Sequence, residues 1–188
     1  MSIHEFAHAW VAYRCGDNTA KIMGRLSLNP LSHIDPIGTI IMPLFLFIAT
    51  SGRFIFGAAK PVPINYWLLK NPKRDIIWIG MSGPCANIMM AYILGLLLRY
   101  IAPNTILKIL IKELAVISLV LGIFNLIPIP PLDGSRILMG ILPQKLSRIY
   151  ASLEPYGIII IMLAIAVGLF DLIIFPLVNK MIVIFGLS

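Results

Sequence analysis

Charge is scarce in this sequence. Only 12% of its 188 residues are Asp, Glu, Lys or Arg, where a soluble domain carries roughly a quarter. Hydrophobic residues make up 59%, and the mean hydropathy is +0.94. No charged residue occurs from Ile76 to Leu98, from Leu114 to Leu132, or from Pro155 to Phe170. The first two windows reach, and the third approaches, the roughly 20 residues that cross about 30 Å of hydrocarbon. The deficit excludes an ordinary water-soluble domain and predicts a multi-pass membrane protein.

Cysteine is nearly absent too. Cys15 and Cys85 are too far apart to form a C-x-x-C site, so they read as free thiols and not as a redox or metal pair. No basic region followed by an apolar run precedes His4, so a cleavable leader is not expected. No repeat, low-complexity tract or flexible linker breaks the chain, which reads as one domain, 1–188. The net charge of +7 is the one feature that suggests nucleic acid, but the basic residues sit in the connections between apolar runs. Lys60, Lys70, Lys73 and Arg74 fall in one connection, and Arg136, Lys145 and Arg148 in another. That pattern fits loops facing anionic lipid headgroups and not a nucleic-acid partner.

Five segments follow from hydropathy and turn signals. They run from the N-terminus to about Cys15, from Pro36 to Gly52, from Ile76 to Ile101, from Leu114 to Pro131, and from Gly157 toward Val178. The second is short and interrupted by Pro43, so it is expected to enter the membrane and return, or to form a shallow hairpin. On that reading Lys21, Arg25, Arg53, Lys60, Lys70, Lys73, Arg74, Arg136, Lys145 and Arg148 collect on one side. The opposite side keeps mainly Lys108 and Lys112, and the positive-inside rule places the first group in the cytoplasm. The fold class is therefore an all-α polytopic bundle with a short re-entrant or hairpin segment, its chemistry near the cytoplasmic face.

The chemistry lies in His4-Glu5-Phe6-Ala7-His8, an H-E-x-x-H pattern. On a helix, residues four apart share a face, so both imidazoles reach one metal ion. Glu5 projects about 100° around the helix from His4, placed to hold a water at the metal and take its proton. Two protein ligands do not complete a catalytic zinc site, which usually takes three and an open position. His33, Asp35, Asp133 and Asp171 are the candidates for the third. Asp133 leads, because it ends the run Asn125-Leu126-Ile127-Pro128-Ile129-Pro130-Pro131-Leu132-Asp133-Gly134. Its prolines forbid a regular helix and predict an irregular strand ending in the carboxylate, and Gly134 allows a tight turn just after it. His33 and Asp35 read as turn residues, Asn87 as structural, and Asp171 as either a buried pair or a break between two short helices.

H-E-F-A-H together with N-x-x-P-x-P-P-L-D-G resembles the site-2 protease family of intramembrane zinc metalloproteases. Gly24 to Pro30, His33 to Thr39, Ala59 to Asn65 and Ser82 to Asn87 are similar to further family stretches, so the resemblance covers about His4 to Gly134. It implies a zinc ion held by His4, His8 and Asp133, with Glu5 as general base and Asn125 as donor to the oxyanion or the substrate strand; an interhelical hydrogen bond is the equal alternative for Asn125. It implies a membrane-protein substrate whose transmembrane helix unwinds locally, and a hairpin after the first motif. An extended edge in segment two, or around Ile127 to Pro131, would pair with the unwound strand. The family's motif normally lies inside a full transmembrane helix with another before it. Here only Met1, Ser2 and Ile3 precede His4, so a chain truncated at its N-terminus, binding zinc weakly, is the expectation. The alternatives are an inactive membrane-binding remnant of the same fold and a metal-handling membrane protein. Neither needs a general base at position 5.

Overall fold

The structure is a computed structural model that describes residues 1–49, 51, 60–102 and 105–187. Every regular element among the described residues is helical. The chain divides into two compact units, Met1–Lys70 and Asn71–Ser188.

In the first unit, α1 (Ser2–Arg14) buries His4, His8, Ala9 and Ala12. That is one stripe at helical spacing, and its alanines let neighbours approach the backbone closely. A one-turn helix α2 (Thr19–Ile22) and a 3₁₀ turn (Pro30–His33) pack beside it. The second predicted segment is a π-helical stretch, Pro36–Ile41, continuing into α3 (Met42–Ala49). Asp35 starts it by accepting a hydrogen bond from the Gly38 N–H at 2.6 Å. The expected extended edge is therefore helix over Pro36–Ala49, where a run of apolar side chains propagates helix once the first turn is capped. The hairpin return beyond Ala49 lies outside the described residues, apart from Ser51.

The second unit is built on α4 (Pro72–Leu98) and α5 (Ile106–Asn125). Ala91 and Leu98 of α4 meet Ala115, Leu119 and Ile123 of α5, and Val178, Phe185 and Leu187 near the chain end complete this core. The predicted third segment starts four residues early, because Pro72 is acceptable in a first helical turn. The predicted fourth starts eight residues early. The charges of Lys108, Lys112 and Glu113 end the apolar window without ending the helix, which the Thr105 hydroxyl caps by accepting from the Lys108 N–H at 3.2 Å. The fifth segment is broken into α8 (Gly157–Ala166), a π-helical stretch (Phe170–Ile174) and α9 (Phe175–Phe185). The break falls at Gly168, whose φ of +73° favours glycine. Asp171 is exposed just past it, so of the two readings the break holds.

Among the described residues two stretches are long and apolar enough to cross a membrane, Pro72–Leu98 and Gln144–Ala166. The second includes α7 (Gln144–Ala151), a 3₁₀ turn (Glu154–Tyr156) and α8. Ile158, Ile159, Met162 and Leu163 of α8 are all exposed.

The short helix α6 (Asp133–Ile141) beds on α4 through glycines on both sides. A Cβ at Gly80 would stand 3.0 Å from the Asp133 carbonyl oxygen, and one at Gly140 would stand 2.7 Å from that of Lys73. Backbone cannot step aside as a side chain can. Gly140→Ala is expected to destabilise the protein by about 1–3 kcal/mol, read as a lower midpoint of thermal unfolding in detergent. An unchanged midpoint would mean the two helices are not in this close register.

Candidate metal centre

The pair of histidines is made by one turn of α1. His4 and His8 are 8% and 6% exposed, and their Nε2 atoms lie 3.0 Å apart. The rings meet edge to face, with centroids 4.6 Å apart. Two nitrogens that each stand about 2.0–2.1 Å from a tetrahedral zinc are about 3.3 Å apart. The observed spacing differs from that by a few tenths of an ångström, which small ring rotations supply, so the pair fits a zinc ion.

Glu5 is held by a segment remote in sequence. The Val62 N–H donates to Glu5 Oε2 at 3.3 Å. Pro61 and Pro63 carry no N–H, so Val62 supplies the single backbone donor of that tripeptide. The run is tied at both ends. The Lys60 N–H donates to the His33 carbonyl at 3.0 Å, and the Asn65 N–H donates to Asp17 Oδ2 at 2.7 Å. Asp17 is fully buried and its other carboxylate oxygen accepts from the Thr19 N–H at 2.9 Å. Neither Asp17 nor Val62 stood out in the sequence as site residues. The isolated donor in Pro61-Val62-Pro63, inside the family-like stretch Ala59 to Asn65, was the signal available for Val62.

Of the other candidates in this unit, His33 is 3% exposed. Its Nε2 faces the Ser27 carbonyl at 2.8 Å, and because a carbonyl only accepts, Nε2 carries the proton. Asp35 caps the π-helical stretch, as above. Both have the turn roles expected of them.

Asp133, Asn125, Asn87 and Asp171 belong to the second unit. Asp133 is the first residue of α6, at a helix N-terminus where a carboxylate is favoured by the exposed N–H groups. The predicted irregular strand before it is instead a series of turns. Ile127, Ile129 and Leu132 donate their N–H groups to the carbonyls of Phe124, Ile127 and Ile129, and the prolines have none to give. The run therefore offers a strand no free backbone donor, only carbonyls. Gly134 serves close approach and not a tight turn, since α6 continues through it and a Cβ there would collide with the carbonyls of Leu126 and Ile127. Asn125 ends α5, its Nδ2 donating to the Leu121 carbonyl of its own helix at 2.9 Å. Asn87 is buried in α4, and its backbone carbonyl accepts from the Ser118 hydroxyl of α5 at 2.9 Å.

Two buried imidazoles meeting from successive helical turns can share a metal ion, and the Glu5 carboxylate next to them in sequence can serve as a base. Comparison with known proteins agrees. The sequence model of peptidase family M50 matches residues 101–169. YwhC of Bacillus subtilis, named for zinc metalloprotease activity, is 36% identical over 188 residues, which is 95% of this chain and 82% of that protein. Rip2 of Mycobacterium tuberculosis, named likewise, is 29% identical over 164 residues, and the match spans 61% of its length. MJ0392 of Methanocaldococcus jannaschii, a zinc metalloprotease by name, is 28% identical over 143 residues. No solved structure matches. The chain belongs to peptidase family M50, the site-2 protease family, and is a metalloprotease by class. Proteins of this family reside in membranes, in keeping with the two candidate spans.

Replacing either His4 or His8 by Ala is expected to weaken zinc affinity by about 100-fold or more, beyond the loss typical of a merely supporting residue. Zinc titration of the purified chain measures it. Wild-type affinity in both variants would remove the pair from the metal centre.

Proposed function

We propose that this chain hydrolyses peptide bonds in or near transmembrane segments of other membrane proteins, with zinc held by His4, His8 and Asp133. The observation that carries this reading is the 3.0 Å approach of the two Nε2 atoms with Glu5 fixed alongside by Val62. The relatives named as zinc metalloproteases support the choice of metal. Asp133 is the third ligand on the chemistry of its position, a carboxylate opening α6 at the end of a rigid proline-rich turn. Asp35 and His33 are engaged in local turns, and Asp171 is exposed at a helix break.

When bound, zinc lowers the pKa of a water and polarises the scissile carbonyl. Glu5 is the general base. Its carboxylate accepts the proton of the attacking water and later passes it to the leaving amine, so the group ends as it began. The Val62 N–H keeps one oxygen of Glu5 occupied and leaves the other for the water. Asn125 donates to the developing oxyanion after its Nδ2 releases the Leu121 carbonyl. A helical substrate hides its carbonyls in i to i−4 bonds, so substrates with helix-breaking residues near the cleavage point are preferred. The basic loops, on the positive-inside rule, support a multi-pass chain with its centre near the cytoplasmic face.

Glu5→Gln is expected to lower cleavage of a membrane substrate by about 10³-fold or more while zinc content stays near one per chain, in line with the general-base contribution. Asp133→Ala should lose zinc, whereas Asp35→Ala should keep it. Near-normal turnover by Glu5→Gln, or full zinc occupancy in Asp133→Ala, would overturn the corresponding role.

A further inference from the structure

Asp133 follows a run, Pro128 to Leu132, whose shape is set from outside by one stretch of chain, residues 150 to 157. The Tyr150 hydroxyl donates to the Pro128 carbonyl at 2.6 Å. Gly157 packs against the Pro130 carbonyl so closely that a Cβ would collide with it, and the Pro131 ring lies 3.0 Å from the same point. Arg136, one turn into α6 from Asp133, makes a two-pronged pair with Glu154, Nη1 to Oε2 at 3.3 Å and Nη2 to Oε1. The first two contacts grip the run before Asp133, and the third grips the helix after it. On its other face α6 is fixed by its glycine-lined bed on α4.

Energy alone does not account for this arrangement. Arg136 and Glu154 have side chains 24% and 42% exposed, and a pair that open to solvent contributes at most about 1 kcal/mol. A bidentate guanidinium–carboxylate pair does define orientation, and a hydroxyl on a carbonyl defines a position. A metal ligand needs both. Partners that orient a ligand change metal affinity by about 10- to 100-fold when removed, far more than their weight in overall stability.

We infer that Tyr150, Glu154 and Gly157, acting with Arg136, are positioning residues that fix the Pro128–Leu132 run and through it the carboxylate of Asp133. This rests on Asp133 being the third zinc ligand. Each partner acts by a different contact. Tyr150 holds the first proline of the run, Gly157 admits the carbonyl of the second, and Glu154 sets the rotation of α6 through Arg136. A substitution in this stretch therefore reaches the metal without touching it.

The test uses the full chain in lipid nanodiscs, with Tyr150→Phe, Glu154→Gln, Arg136→Gln and the charge-swapped double variant Arg136→Glu with Glu154→Arg. Two quantities are read, the hydrogen exchange of the peptide holding the Ile129 and Leu132 amides and the dissociation constant for zinc. The single variants are expected to exchange faster in that peptide and to bind zinc about 10-fold more weakly, within the range for orienting partners. The double variant should recover most of the affinity lost by the Arg136 and Glu154 singles, which a merely destabilised fold would not do. Unchanged exchange in the single variants would overturn the clamp. Faster exchange with wild-type zinc affinity, in a protein where Asp133→Ala loses zinc, would overturn its link to the ligand. Full zinc affinity in Asp133→Ala would instead overturn the ligand assignment on which the inference rests, so the two failures are told apart.

Discussion

A polar side chain in an apolar helical protein costs several kcal/mol unless a partner meets it, and α1 carries three such side chains within five residues, His4, Glu5 and His8. Much of the first unit follows from meeting that demand. The imidazoles meet one another across a single turn. Glu5 is met by a backbone N–H that two flanking prolines isolate. The segment that delivers this N–H is itself secured by Asp17, a fully buried carboxylate with two backbone donors. Polar groups are thus satisfied in part by backbone held in non-helical form.

The second unit solves a different problem, holding an irregular run rigid without a sheet to pair it. Prolines at 128, 130 and 131 remove donors, and the donors that remain are consumed in successive turns. What fixes the run comes from elsewhere in the unit, from the Tyr150 hydroxyl and from glycines that let backbone meet backbone. Small residues serve here as they do in membrane helix packing generally, allowing close approach where no hydrophobic driving force exists between helices.

The pairing of the two histidines was legible in the sequence because it depends on local spacing. H-E-x-x-H on a helix dictates that the histidines share a face, and they do. The helical class was legible for the same reason, since charge-free windows of the right length leave few other folds. Helix ends were less so, because Lys108, Lys112 and Glu113 interrupt hydropathy without interrupting hydrogen bonding, and α5 runs through them. The strand expected before Asp133 became turns because proline spacing fixes what a run cannot be without fixing what it is. Asp17 was not legible at all. Its bond to the Thr19 N–H is a local turn contact, but its partner at Asn65 is set by how the chain returns along α1, which no local pattern records.

The central claim is a zinc ion held by two imidazoles and one carboxylate. X-ray absorption at the zinc edge of the purified, zinc-loaded chain tests it most directly. The account predicts two imidazole nitrogens at about 2.0–2.1 Å and carboxylate oxygen at about 2.0–2.2 Å, with no sulfur near 2.3 Å. A thiolate from Cys15 or Cys85, or a third imidazole from His33, would contradict it.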